Sequence, residues 1–124
     1  MAIDDLRNDK MMQHLMTSLE RGEDIGHFGR LVFAMVARHF LTDDELSEYL
    51  QQNLSEQEAR ALCKQVAEHD YSPPRRERIL EWQKQQQFPI CPNPDDPDAC
   101  NVYKNLKFPE HVYEHIEEYY EAKV

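Results

Sequence analysis

Ile25-Gly-His-Phe-Gly-Arg-Leu-Val-Phe-Ala-Met-Val-Ala-Arg-His-Phe-Leu41 is the stretch on which the fold turns. Phe28, Leu31, Val32, Met35, Val36 and Phe40 recur at helical spacing on a stripe too broad for a surface helix. The spacing predicts a helix over about 25–41 that must be covered on most sides, and therefore a core built around it. The next two segments of the chain supply cover. Thr42-Asp-Asp-Glu45 is a capping box, in which a threonine hydroxyl and a glutamate carboxylate satisfy each other's orphan amides, and it launches Leu46, Tyr49 and Leu50. Ser55-Glu-Gln-Glu58 is a second box, launching Ala59, Leu62, Cys63 and Val66.

Before the apolar helix, Leu6, Met12, Leu15, Met16 and Leu19 predict one helix that stops at Gly22. After it, Ser72 caps a further helix with Pro73 at its first position. The glutamines at 83 and 85–87 continue that helix rather than forming a low-complexity tract. A proline-rich loop covers 88–98, and Val112, Tyr113, Ile116, Tyr119 and Tyr120 mark a last helix after Pro109. The expectation is an all-α single domain over 1–124, of about six helices with one long proline-rich loop. A chain of 124 residues can bury roughly two-thirds of its unfolded surface without staples.

Composition narrows the partners. With 24 acids against 14 lysines and arginines the net charge is −10, the reverse of the basic footprint of a duplex-binding module. The distribution is uneven. Residues 27–40 hold Arg30 and Arg38 and no acid, and residues 73–87 hold Arg75, Arg76, Arg78 and Lys84 against Glu77 and Glu81. A phosphate-binding face can be built only from these two segments; the alternative is that their charges are solvated helix faces. No apolar run is long enough to span a membrane. The opening Met-Ala-Ile-Asp-Asp lacks a signal peptide's basic start and apolar stretch, so a cytoplasmic location with reduced cysteines is expected.

Three constellations could carry chemistry. His111-Val-Tyr-Glu114-His115 matches H-x-x-E-H, two histidines one turn apart around a glutamate, but only nine residues remain after it for a further ligand. Cys91, Cys100, His111 and His115 could supply four zinc ligands. The cysteines are nine apart, however, where structural zinc uses a knuckle of two to four. His27-x-x-Arg30 places an imidazole and a guanidinium one turn apart, able to hold a phosphate between them; the alternative is a capping histidine and a solvated arginine. No metal and no cofactor is expected, and no catalytic set is found.

In order along the chain stand Gly22-Glu-Asp-Ile-Gly-His27-Phe-Gly-Arg30, Leu41-Thr-Asp-Asp-Glu45-Leu, Gln65-Val66, Tyr71-Ser-Pro73-Pro74, Cys91 and Cys100, then Phe108-Pro109. Together these segments resemble the helical C-terminal domain of archaeal and eukaryotic primase large subunits, over residues 11–109. That family binds a four-iron cluster through four cysteines and helps a catalytic subunit start a primer. The resemblance puts Cys91 and Cys100 at the last two ligands, Arg76 at the one after the paired prolines and Met11 or Met12 near the first. Two suitable ligands cannot hold such a cluster, so the chain resembles a cluster-less, accessory-subunit-like relative. Cys63, between Leu62 and Val66, reads as core.

By the same resemblance His27 and Arg30 match the family's nucleic-acid-facing pair, and Arg75, Arg76 and Arg78 occupy the former cluster's surroundings. The expected function is non-enzymatic. It is contact with a single-stranded or primed nucleic-acid end, or a nucleotide, through His27, Arg30, Arg75, Arg76 and Arg78, beside a primase or polymerase catalytic subunit. The alternative is a protein–protein adaptor that kept the scaffold and offers its acidic, tyrosine-bearing C-terminal helix to a basic partner.

Overall fold

In the computed structural model, residues 2–96 and 98–113 are described, and they are helical with no strand among them. The order is α1 (Ala2–Arg7), α2 (Lys10–Glu20), α3 (Gly26–Ala37), α4 (Asp43–Leu50), α5 (Glu56–Glu68), α6 (Arg76–Gln83) and α7 (Val102–Asn105). A further helical turn begins at 110. The fold is all-α, and no described helix is long and apolar enough to cross a membrane.

α3 packs against α2, α4, α5 and α6. Val32, Met35 and Val36 of the expected stripe are buried, but Phe28, Leu31 and Phe40 are only partly so. The stripe is completed instead by Phe33, Ala34 and Ala37, which are fully buried because neighbours cover α3 on that side too. At its start the backbone of Gly26 is left-handed, with φ +81°. A Cβ there would lie 2.5 Å from the Gln86 side chain, so glycine is required by conformation and by space. Both capping boxes form: Thr42 with Glu45, and Ser55 with Glu58. α2 stops where Gly22, at φ +74°, lets the Gly22 amide donate to the Leu19 carbonyl and the Glu23 amide to that of Ser18.

Three expectations are corrected. The N-terminal helix is two helices, divided at Asn8-Asp9. Asp9 is fully buried and accepts from the Met12 amide at 2.9 Å and from Asn105 Nδ2 at 2.9 Å. The sequence pattern continues across this point, but the carboxylate caps α2 and ties it to α7. The helix expected from Pro73 begins only at Arg76, with Arg75 extended at ψ 163°. Pro74 is the physical reason: a residue before proline is pushed out of the helical region, so Pro73 cannot open the helix. Nor do the glutamines prolong α6. The Gln83 carboxamide accepts from the Cys91 amide at 2.8 Å. Gln86 donates to the Ile25 and Phe88 carbonyls and accepts from the Phe28 amide, each at 2.9 Å. These side chains pin the proline loop back onto α3. The short α7, absent from the sequence reading, lies beyond that loop. Of the expected last helix, the part from Glu114 onward, with Ile116, Tyr119 and Tyr120, lies outside the described residues.

Candidate nucleic-acid interface

The two prolines that delay α6 also build a groove. Pro73 and Pro74 are buried and form one wall. Leu31 and Met35 of α3 form the floor, and Tyr71, Trp82 and Tyr103 add three aromatic rings. The groove has a volume of about 690 Å³. Tyr103 is anchored by its hydroxyl, which donates to the Pro73 carbonyl. Trp82 stacks on Phe28, with ring centres 5.5 Å apart and planes 17° apart. Tyr71 stacks on His69 and is 37 % exposed.

The cations fall into two groups. Arg75 and Arg78 both line the groove, one turn apart at the start of α6. The Arg78 guanidinium lies 5.9 Å from the Trp82 ring centre, a cation–π distance. His27 is exposed and meets Phe28 edge-on at 5.2 Å. It therefore reaches the groove only through the Phe28–Trp82 stack. Arg30 is turned elsewhere: it pairs with Asp24 at 2.8 Å, also reaches Asn53, and is 17 % exposed. Asn53 in turn accepts from the Ile25 amide at 3.0 Å and donates to the Glu23 carbonyl at 2.7 Å, so Arg30 belongs to a brace at the entry to α3. Asp24 is held below the usual carboxylate range by the Gly26 amide and by Arg30.

Arg76 faces away as well, donating to the Pro94 carbonyl of the proline loop, with its Nε buried and unpartnered. The five candidate residues thus do not converge. Arg75 and Arg78 share one face, His27 sits beside it, and Arg30 and Arg76 are committed to scaffold contacts. The rings that accompany the cations were not assigned to the site from sequence. The usable signal was Trp82 four positions after Arg78, which puts ring and guanidinium on one helix face.

Behind Arg76 lie the cysteines. Cys91 and Cys100 are buried, unbridged and hydrogen-bonded to each other. Burial, then the hydrogen bond with Cys91, pushes the Cys100 thiol up, with Arg76 and Asp9 close enough to act on it electrostatically. Cys63 is buried in the core, and burial raises its thiol too. Among the described residues no three histidines, cysteines or acids are placed to hold a metal; Glu114 and His115 lie outside them. The groups shown around Cys100, one further thiol in Cys91, the Arg76 guanidinium and the Asp9 carboxylate, do not make the four-thiolate set of a four-iron cluster.

No protein family, curated protein or solved structure matches this chain. The site is therefore read from its own geometry.

Proposed function

We propose that this domain is a non-catalytic accessory module that binds a nucleic-acid end or nucleotide beside a partner primase. The observation that carries the binding is the groove, which joins the Arg75 and Arg78 guanidiniums to the Trp82, Tyr71 and Tyr103 rings. Strand binders without a strong sequence code combine these two elements, cations that follow phosphates and rings on which bases stack. Its size falls in the range of small-molecule sites, roughly 300–1,000 Å³. The partner rests on the resemblance alone.

The test is fluorescence anisotropy of a labelled single-stranded oligonucleotide at low salt. Arg75→Ala and Arg78→Ala should each weaken binding by roughly 1–2 kcal/mol, as for a lost charge-assisted hydrogen bond. Arg60→Ala, whose guanidinium pairs with Asp44 at 3.0 Å, should leave it unchanged. Absence of binding at high protein concentration, or equal losses at all three sites, would favour the adaptor reading. A different surface from the C-terminal helix of that reading also suits a basic partner: Glu45 and Glu48, with Glu20 paired to Arg7, gather with Ile3 and Tyr49 around a shallow depression.

A further inference from the structure

We propose that the groove takes one unpaired base of a single strand, stacked at Tyr71 and Trp82, with its flanking phosphates on Arg75 and Arg78. This deepens the nucleic-acid reading and rests on it. A paired duplex offers phosphates and base edges. A chain of net charge −10 with two guanidiniums at its groove has little with which to hold the first. An exposed base offers a flat π-surface, and the groove is built for one. Leu31, Met35 and the paired prolines make an apolar lining, while Tyr71 and Trp82 supply rings. Both rings are backed: His69 stacks on Tyr71 and Phe28 stacks on Trp82. Backed rings lose little freedom when a base joins them, which is what preorganised stacking requires.

The volume of about 690 Å³ accommodates a nucleotide. The exposed Gln65 amide lies on the same lining, placed to meet a base edge. The Arg78 guanidinium, already near the Trp82 ring, can serve either the ring or a phosphate.

Trp82 is the chain's one tryptophan, so its fluorescence reports on the groove directly. The experiment compares the full chain with an oligothymidylate 12-mer, the same sugar-phosphate strand without bases, and a blunt duplex. The 12-mer should quench Trp82 and bind roughly 5- to 150-fold tighter than the abasic strand, the range of one stacked base. Tyr71→Ala should abolish most of that difference without changing the abasic affinity, and Tyr71→Phe should restore it. Tyr71 lies outside the core, so neither variant should lose its fold, which far-UV circular dichroism checks. Equal affinity for the 12-mer and the abasic strand without quenching overturns the base site while leaving phosphate binding intact. Duplex binding as tight as the 12-mer overturns it too. No binding to any strand overturns both this inference and the nucleic-acid reading.

Discussion

His39 sits where the end of α3 meets the segment after α7, edge-on to Phe108 at 5.7 Å and 6.1 Å from the His111 ring. Its Nε2 is buried without a partner. Burial first, then the positive charges of Arg38 and His111, depress its pKa from 6.5 to about 4, against a smaller pull from Asp70. The folded state therefore binds this proton less readily than the unfolded chain. Stability is full above pH ~6.5 and is lost as pH falls toward 4. The shift corresponds to an upper bound of about 3 kcal/mol, reduced by solvent at this half-buried ring to ~1 kcal/mol. His39→Phe should flatten that part of the melting-temperature curve relative to the parent protein, while leaving the plateau above pH 7 in place. Gly26 makes a second case at this scale. Gly26→Ala forces a left-handed alanine and drives its Cβ into Gln86, which bridges three backbone groups. Urea unfolding should show a loss of roughly 2–4 kcal/mol, backbone strain plus disturbed part-buried hydrogen bonds.

Among the elements, those with local chemistry were legible. Threonine or serine followed three positions later by glutamate carries its own instruction, and α4 and α5 begin where Thr42 and Ser55 place them. Gly22 ends α2 for an equally local reason, and the stripe of α3 demanded burial on most sides. What could not be read depends on partners distant in sequence. Asp9 looks like one more acid in an amphipathic run; only the Asn105 amide, ninety-six positions away, shows why a buried carboxylate stands there. Gln83 and Gln86 look like helix formers until their backbone partners are known. The groove joins Leu31, Tyr71, Trp82 and Tyr103, which no spacing rule connects, and four-residue α7 is too short to have a period. Asp9 gives this scale its prediction. Burial raises its pKa, opposed by the hydrogen bonds it receives from Asn105, Met12 and Met11. Asp9→Ala removes the cap of α2 and its tie to α7 together. A loss of roughly 2–3 kcal/mol is expected in urea unfolding, above the ~1 kcal/mol of an exposed cap. A loss no larger than an exposed cap's would mean that the link to α7 contributes nothing.

For the whole molecule, charge decides how any strand is found and held. At −10 the chain repels polyanions at long range, so on the proposed reading association gains nothing from steering and the affinity would come from the short-range groove. A basic surface would give affinity that collapses steeply with salt. Two guanidiniums cannot, because each neutralised phosphate of a single strand contributes only about −0.7 to the slope of log K against log salt. With Arg75 and Arg78 as the two contacts, the expected slope is about −1.4. Arg78→Ala should reduce it to about −0.7 while leaving a salt-independent part, which is the stacking share. Arg30→Ala should behave differently. Its guanidinium braces the entry to α3 against Asp24 and Asn53, so the variant should melt at a lower temperature and keep the parent slope. Measured between roughly 20 and 200 mM salt by anisotropy, a slope near about −3 or steeper would require further cations at the interface, Arg30 and Arg76 first among them. That result would mean that the arginines now seen bracing the scaffold release their partners to meet the strand.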